Sequence, residues 1–238
     1  MSIDAQQLTK RFGRTLAVDG ATFRAEAGER VALVGRNGAG KSTLLRMLAT
    51  FLPPTSGAAT VSGFDVFSQS NAVREIVGYL PEGSPIEPEM GVVEYLRFRG
   101  RLRGLFGSIL RRHFNDAVEI CGLGEHRATV IGRLSRGVRA RVALADAILH
   151  RPPVLLLDDP LASVDAAQRQ TFLAALRNSA EERALLFATH TPDDASRLFT
   201  RVLLLDRGRL VLDAPLDPAH PPVSLGATVT GWLLDLAS

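Results

Sequence analysis

The stretch that decides the fold is residues 35–43, which read Gly35-Arg36-Asn37-Gly38-Ala39-Gly40-Lys41-Ser42-Thr43. This stretch matches the phosphate-binding loop pattern G-x-x-x-x-G-K-[ST]. An apolar run at residues 31–34 precedes it, and a helical pattern that includes Leu44, Leu45 and Leu48 follows it. A glycine-rich turn that fits by chance is the alternative, but such a turn does not require this order of strand, loop and helix. The sequence therefore predicts a phosphate-binding loop in an α/β fold.

Each part of this loop has a chemical reason. Glycines let the backbone wrap closely and direct its N–H groups at phosphate oxygens. The N-terminus of the following helix adds a partial positive charge. Lys41 can reach the β- and γ-phosphates of a nucleotide, and the Ser42 hydroxyl can bind Mg²⁺. All residues from 35 to 43 are therefore candidates for holding a nucleotide phosphate.

A second candidate site follows the apolar run at residues 154–157, which ends in Asp158 and Asp159. Adjacent carboxylates repel and are costly to bury unless they share a cation or a proton. A Mg²⁺ ion held by Asp158 would supply that cation. Asp159 would then lie toward the γ-phosphate, where it could polarise an attacking water. The alternative is an aspartate pair that serves only as a turn and a helix cap.

The remaining pattern indicates how the chain is organised. Further apolar runs at residues 184–188 and 202–205 alternate with helical patterns, which favours a mostly parallel, buried sheet. Residues 83–90 are rich in proline and glycine, and residues 91–150 read as successive helices. We predict a helical subdomain inserted at about residues 83–150 of a domain spanning residues 1–213, followed by a short proline-rich tail at residues 214–238.

Composition limits the possible classes of protein. The 238 residues are 46% hydrophobic, which suits one large domain with a sizeable core. No apolar stretch approaches the roughly 20 residues that span a bilayer, and no signal peptide is recognised at the N-terminus. The single cysteine, Cys121, cannot form an internal disulfide, so a reducing compartment is expected. The net charge of +3 is too small to indicate a nucleic-acid partner.

The order of these motifs resembles that of the ATP-binding subunits of ABC transporters, over about residues 3–213. The resemblance implies a P-loop NTPase core with antiparallel N-terminal strands, and ATP and Mg²⁺ as cofactors. Residues 35–43 stand at the first Walker motif of the family and residues 155–159 at the second. Phe12 stands where the family stacks an aromatic ring on adenine; its alternative is an ordinary surface phenylalanine on a strand.

Three later segments extend the resemblance. Residues 134–138 stand at the family's signature motif, where Ser135 and Gly137 would contact the nucleotide held by a second subunit; a capped helix and nothing more is the alternative. A serine at the start of that helix is also a favourable N-cap. Residues 163–165 stand at the D-loop. His190 stands at the switch histidine and would contact the γ-phosphate, although a histidine at a strand end is often only structural.

The chain departs from the family pattern at four positions. Glu82 replaces the glutamine of the Q-loop, and we expect it to act in catalysis and metal binding. Arg136 and Val138 replace a glycine and a glutamine of the signature motif. The changes at the Q-loop and signature resemble a subclass of exporter ATPases, the type-2 exporters. Asp159 replaces the usual catalytic glutamate, which puts the rate of hydrolysis in question rather than ATP binding.

The resemblance implies a motor subunit of an ABC transporter, and the departures at the Q-loop and the signature motif favour an exporter over an importer. It would form a dimer with an identical or homologous subunit around two MgATP molecules. It would also bind a multi-spanning membrane subunit at the cytoplasmic face of the membrane, as a peripheral protein. Two alternatives remain at this point: a weakly hydrolysing regulatory half of a heterodimeric complex, and a soluble ABC ATPase of translation or DNA repair.

The predicted helical insertion is rich in arginine. If these side chains face the membrane, they could contact anionic lipid headgroups. A solvated helix face is the simpler interpretation and is favoured by the sequence alone. The arginines concerned are Arg97, Arg99, Arg101, Arg103, Arg111 and Arg112.

Overall fold

The computed structural model of the chain describes residues 2–83, 85–162, 164–180, 182–191 and 198–216. The strands are β1 (Ile3–Phe12), β2 (Thr15–Ala25), β3 (Arg30–Val34), β4 (Ser56–Val61), β5 (Phe64–Asp65), β6 (Val77–Leu80), β7 (Val154–Asp158), β8 (Ala184–Thr189), β9 (Arg201–Asp206) and β10 (Arg209–Pro215). The helices are α1 (Lys41–Leu48), α2 (Ser70–Ile76), α3 (Val92–Leu102), α4 (Gly107–Ile120), α5 (Arg136–Ile148) and α6 (Ala166–Ser179).

The larger sheet has its described strands in the order β10-β9-β3-β8-β7-β6. All neighbours in it are parallel except β10, which pairs with β9 in the antiparallel direction. The register aligns the carboxyl ends of the central strands, because Val34 lies opposite Thr189 and Ala188 lies opposite Asp158. The polar residues that follow these strands therefore begin at the same edge of the sheet.

Both faces of this sheet are buried, as the continuous apolar runs predict. On β7, Leu155 and Leu157 pack with helices α3 to α6, whereas Val154 and Leu156 pack with α1 and the smaller sheet. The alternation follows from the two-residue period of a strand. Every residue of β7 is buried, including its terminal aspartate, so polar residues on it must find partners within the protein.

The smaller sheet has the order β2-β1-β4-β5 and is antiparallel throughout. Ile3 on its central strand β1 lies opposite both Ala25 and Val61. This sheet covers α1 on the second face of the larger sheet. The predicted class, an α/β core with antiparallel N-terminal strands and a helical insertion, is confirmed.

Helices α3, α4 and α5 fall inside the predicted insertion at residues 83–150. Helix α5 is buried almost all round: Arg136 and Arg139 are its only residues that are not buried. It packs among α3, α4, α6 and β6, so the helical region is continuous with the core of the sheet. The division of the chain into a domain and a tail stays a prediction.

One feature differs from the sequence prediction. Strand β6 was not predicted, because it is only four residues long and contains Gly78. A Cβ at Gly78 would lie 2.3 Å from the Ala147 carbonyl oxygen, so glycine is what lets α5 approach this strand. Strand β10 ends at Pro215. The tail from residue 217 onward lies outside the described residues, and none of the described helices is long and apolar enough to cross a bilayer.

Candidate functional site

The carboxyl ends of β3, β8, β7 and β6 lie side by side and border one cavity of about 330 Å³. The cavity brings together candidates that are far apart in sequence: the glycine-rich loop, both aspartates, Glu82 and His190. Its lining residues are Ala17, Asn37, Gly38, Gly40, Lys41, Ser42, Thr43, Glu82, Asp158, Asp159, Ala162 and His190.

The loop after β3 needs glycine at two positions for different reasons. Gly40 has φ +106°, and a Cβ there would lie 2.2 Å from the Ala17 carbonyl oxygen. Gly35 has ordinary dihedrals, but a Cβ there would lie 2.4 Å from the Leu205 carbonyl oxygen. Neighbouring backbone thus blocks any side chain. The loop is pressed between β2 and β9, which fixes the positions of its N–H groups.

Lys41 is the first residue of α1 and is only 7% exposed. Its ammonium group donates hydrogen bonds to the carbonyl oxygens of Gly35 at 2.7 Å and Arg36 at 3.1 Å. Burial lowers the pKa of Lys41, and the nearby carboxylates of Asp159, Asp158 and Glu82 oppose that effect. A buried ammonium group that closes the loop and lines the cavity is placed to bind an anion at the end of a helix.

The Ser42 hydroxyl donates a hydrogen bond of 2.9 Å to Oδ1 of Asp158. The other carboxylate oxygen, Oδ2, is buried without a hydrogen-bond partner. Burial raises the pKa of Asp158; the charges of Glu82 and Asp159 act in the same direction, and the bond from Ser42 acts against them. An unpaired buried carboxylate oxygen beside a hydroxyl is a donor set that a hard divalent cation fits.

The protein would supply few of the ligands of such a cation. Among the described residues, no group of three His, Cys, Asp or Glu side chains has a metal-binding arrangement. Mg²⁺ commonly binds through one or two protein oxygens and completes its shell with phosphate oxygens and water. Ser42 and Asp158 fit that mode. Glu82 lines the same cavity, where its carboxylate could bind the cation through water.

Asp159 adopts φ +45°, a left-handed conformation in which aspartate is more common than most other residues. Its backbone N–H donates to the Ala188 carbonyl oxygen at 3.0 Å, which ties the residue to the end of β8. Its carboxylate is hydrogen-bonded to Nδ1 of His190. The aspartate side chain is 12% exposed and the histidine 39%, so the pair lies at the cavity wall with the histidine toward solvent.

Of the predicted phosphate loop, Gly35, Arg36 and Ala39 do not line the cavity, and three predicted binding residues from other segments also lie outside it. Phe12 is 47% exposed at the end of β1, with the Lys10 ammonium 5.2 Å from its ring centroid. Ser135 caps α5, because its hydroxyl accepts from the Val138 N–H at 3.2 Å, and this predicted cap is confirmed. Gly137 lies where α6 passes close: a Cβ there would lie 2.3 Å from Cβ of Gln168. Of the predicted D-loop, residue 163 lies outside the described residues.

A family model described as "ABC transporter" matches residues 18–162, which is more than half of the chain. The chain belongs to the ABC transporter family. This confirms the resemblance inferred from the order of the motifs. The match covers the phosphate loop, the cap of α5 and the acidic end of β7, and it includes all lining residues of the cavity except Ala17 and His190.

Curated relatives align with most of the chain. The chain is 35% identical over 238 residues to the uncharacterized ABC transporter ATP-binding protein YxlF of Bacillus subtilis strain 168, and the alignment covers 97% of this chain and 79% of that protein. The chain is 33% identical over 212 residues to the Nod factor export ATP-binding protein I of Burkholderia lata, and the alignment covers 89% of this chain and 70% of that protein. The chain is 31% identical over 206 residues to the ABC transporter ATP-binding protein NatA of Bacillus subtilis, and the alignment covers 86% of this chain and 84% of that protein.

Solved structures share the fold. The ATP-binding subunit of an ABC transporter superposes with a TM-score of 0.85 at 23% identity, with both chains fully covered. A dimeric bacterial ABC transporter cassette, MJ0796, superposes with a TM-score of 0.79 at 21% identity, covering 90% of this chain and 99% of that one. At these identities the likeness concerns the fold alone.

Sequence reasoning missed two lining residues of the cassette, Ala17 and Ala162. Neither carries a functional group on its side chain. Ala17 borders the cavity next to Gly40, and its carbonyl oxygen is what excludes a side chain there. Because the contribution comes from the backbone of β2, no signal in the residue type could have found it.

The geometry of Lys41 predicts the effect of removing its ammonium group. Lys41→Ala should weaken ATP binding about a hundredfold or more, because bonds to a charged group contribute about 1.5–3 kcal/mol each. Titration calorimetry with MgATP measures this, and urea unfolding checks that the fold is retained. Arg177→Ala removes an exposed cation on α6, which does not line the cavity, and should bind ATP within about tenfold of the original. Unchanged affinity in Lys41→Ala would contradict the assignment.

Proposed function

We propose that this ABC cassette is the ATP-binding and ATP-hydrolysing motor subunit of an exporter that works with a separate membrane subunit. The observation that carries the proposal is the single cavity in which Lys41 and the Ser42–Asp158 pair lie beside Asp159. A phosphate-binding cation, a metal-binding pair and a carboxylate for the attacking water are the parts that phosphoryl transfer to water requires.

The residues of the cavity divide the work. The loop N–H groups and Lys41 bind and orient the β- and γ-phosphates. Ser42 and Asp158 would hold Mg²⁺, which when bound would neutralise charge on the phosphate oxygens. Asp159 accepts a hydrogen bond from the attacking water and orients it toward the γ-phosphate. His190 holds the Asp159 carboxylate through Nδ1 and contacts the γ-phosphate. Glu82 lines the same cavity and would assist in metal binding and catalysis.

A second subunit would complete the site. Ser135 and Gly137 lie at the start of α5, outside the cavity that holds Lys41 in the same chain. A helix N-terminus attracts anions through its unpaired N–H groups. In a head-to-tail dimer, this end of α5 would face the γ-phosphate held by the other subunit. Phe12, exposed at the end of β1, would stack on the adenine ring.

A groove beside β6 supports coupling to a membrane subunit. Its volume is about 550 Å³, and it is lined by Tyr79, Leu80 and Pro81, which directly precede Glu82 in the nucleotide cavity. A segment seated in the groove would touch the same short stretch of chain that borders the nucleotide. A displacement of the segment in the groove would therefore shift the chain at the nucleotide cavity, and the reverse, which is the coupling that a transport motor needs.

Two departures from the family pattern, Glu82 and Arg136, favour export because they resemble those of type-2 exporters. The names of the relatives do not decide the direction, since at 33% identity they include both a Nod factor export protein and a sulfate/thiosulfate import protein. The cassette would then act as a peripheral protein at the cytoplasmic face of the membrane.

A second candidate function is a weakly hydrolysing half of a heterodimeric complex. The short side chain of Asp159 and its bond to His190 support it, because both keep the carboxylate near β8. Aspartate is one methylene shorter than glutamate, and a misplacement of about 1 Å can cost on the order of a hundredfold in rate. Val138 also removes a polar group from the signature motif. We propose that the site hydrolyses ATP slowly.

A separate membrane subunit should be recoverable with the chain. Affinity purification of the tagged full chain from membranes in mild detergent should recover a multi-spanning protein, because the motor must act through one. Lys41→Ala, isolated in parallel, serves as a control for nucleotide dependence. Recovery of ribosomes or DNA without a membrane protein would favour a soluble ABC ATPase of translation or DNA repair.

ATP should convert the monomer to a dimer, because each signature motif completes the site of the other subunit. The shift should be clearest in Asp159→Asn, which removes the carboxylate charge and slows turnover. Asparagine also tolerates the left-handed conformation at this position, so the backbone is retained. Light scattering at saturating MgATP measures the mass, and Asp159→Asn/Lys41→Ala is the matched control that should stay monomeric. A monomeric Asp159→Asn would oppose a homodimeric site.

If Asp159 is limited by its reach, a longer carboxylate should restore the rate. Asp159→Glu should hydrolyse ATP about tenfold faster or more, equivalent to about 1.4 kcal/mol of activation free energy. The assay uses saturating MgATP with the membrane subunit present, and thermal unfolding checks that glutamate is tolerated at φ +45°. A fall in rate with a stable fold would show that the pocket suits aspartate, and slow hydrolysis would be abandoned.

A further inference from the structure

The turn between α3 and α4 carries an exposed surface that the ATPase site does not use. Four large apolar side chains lie on it: Phe98 is 46% exposed, Leu102 64%, Phe106 63% and Ile109 50%. We call these residues, with Arg101 and Arg112, the α3–α4 surface. Exposed apolar side chains that cluster in this way commonly mark a binding surface, whereas isolated ones need no explanation.

The four side chains are not part of the core. Helix α3 buries Val92, Tyr95, Leu96 and Gly100, and helix α4 buries Leu110, Phe114, Ala117 and Val118. Phe98 and Leu102 are four residues apart, so they share a side of α3 away from that core. Ile109 and Arg112 are three residues apart and share the outer side of α4 in the same way.

The two helix ends are packed together, which brings the parts of the surface close. A Cβ at Gly100 would lie 2.4 Å from Cδ1 of Leu110, so α3 and α4 are in direct contact here. The Leu105 N–H donates to the Gly100 carbonyl oxygen at 2.9 Å and tightens the connecting turn. Phe106 follows that turn immediately, at the start of α4.

The charges around the surface are of one sign. Residues 95–115 contain six arginines and no aspartate or glutamate. Two of the arginines point inward: Arg99 pairs with Asp146 at 3.0 Å, and Arg103 bonds to His150 at 3.1 Å. Arg97 lies over the Phe114 ring, 5.4 Å from its centroid.

The remaining arginines, Arg101, Arg111 and Arg112, are exposed, and the described part of the chain offers them no ion pair. The acidic residues at either end are engaged elsewhere, because Glu94 accepts from the Gly91 N–H and Asp116 pairs with Arg151. The six arginines therefore do not form one solvated face. The three exposed ones lie on the same two helices as the exposed apolar side chains.

We propose that the α3–α4 surface binds anionic lipid at the membrane surface. Apolar and aromatic side chains that project between basic ones are suited to the boundary between headgroups and acyl chains. Arginine side chains without acidic neighbours attract a negatively charged leaflet, and this attraction needs no fixed partner geometry. The surface adjoins the groove beside β6, since Arg99 and Arg103 line that groove from the same helix. Its role beside the membrane subunit rests on the proposed function.

The test uses the purified full chain and vesicles of defined lipid, without nucleotide and without a membrane subunit. The chain should float with vesicles that contain phosphatidylglycerol and not with vesicles of phosphatidylcholine alone, and high salt should release it. Arg101→Gln/Arg112→Gln should lower the binding constant about twenty-five-fold, since each arginine near an anionic surface accounts for about fivefold. Leu102→Gln/Ile109→Gln should lower it by a similar factor through lost apolar contact.

Two matched variants control for charge and exposure. Arg177→Gln removes an exposed arginine on α6, and Phe67→Gln removes a phenylalanine that is 69% exposed before α2. Both should bind vesicles like the original chain. ATP titration on each variant separates the two proposals, because loss of vesicle binding with normal ATP affinity concerns this surface alone.

Three results would overturn the lipid assignment. They are equal binding to both kinds of vesicle, an absence of binding to either, and equal loss in the control variants. If vesicles are not bound, but Leu102→Gln/Ile109→Gln reduces recovery of the membrane subunit, the surface is a protein interface and not a lipid site.

Discussion

The parallel register of β3, β8 and β7 is the constraint on which the site depends. Val34 opposite Thr189 and Ala188 opposite Asp158 make the three strands end at one level. The phosphate loop, His190 and Asp159 then start from the same edge, where a parallel sheet offers its ligand crevice. A slip of one residue would exchange the two faces of β7, both of which are buried, and would move Asp158 away from Ser42. The side chains would then no longer fit the two close-packed layers, and this misfit holds the site in place.

Charge balance is the second constraint. The cavity combines one buried ammonium group with three carboxylates, those of Glu82, Asp158 and Asp159. Burial raises the pKa of Asp158 and leaves one of its oxygens without a partner. The chain alone therefore holds a site that is incompletely compensated, and binding of a cation with its phosphates would relieve that state. Functional sites commonly retain such local destabilisation, which the surrounding core must offset.

Helix α5 connects the regions that an ABC motor must coordinate. Its first turn carries the signature residues, its middle packs against α3 and β6, and its Asp146 pairs with Arg99 at the groove. Because nearly all of its residues are buried, the helix moves only together with its neighbours. Gly137 allows α5 to pack closely against α6, and Gly78 allows β6 to pack closely against α5. Close contact makes displacement at the groove and at the signature motif interdependent.

The sequence by itself determined the chemistry at each end of the site. The spacing of glycines, Lys41 and Ser42 after an apolar run specifies a phosphate loop, since few other residues permit that backbone and charge. The apolar run ending in Asp158 specifies a buried strand with an acidic end. Local pattern suffices for both because each lies within a single stretch of chain. The cap on α5 was predictable for the same reason.

Only the tertiary structure decided which strands are neighbours and which side chains meet. Strand β8 lies between β3 and β7, although it follows both in the chain, and this order places His190 against Asp159. Arg99 and Arg103 turn inward while Arg101 and Arg112 face outward, a distinction that depends on packing against α5. The unpaired oxygen of Asp158 and the backbone of Ala17 over the loop are likewise invisible in the sequence. Each arises from contacts between distant segments, which residue type and spacing do not encode.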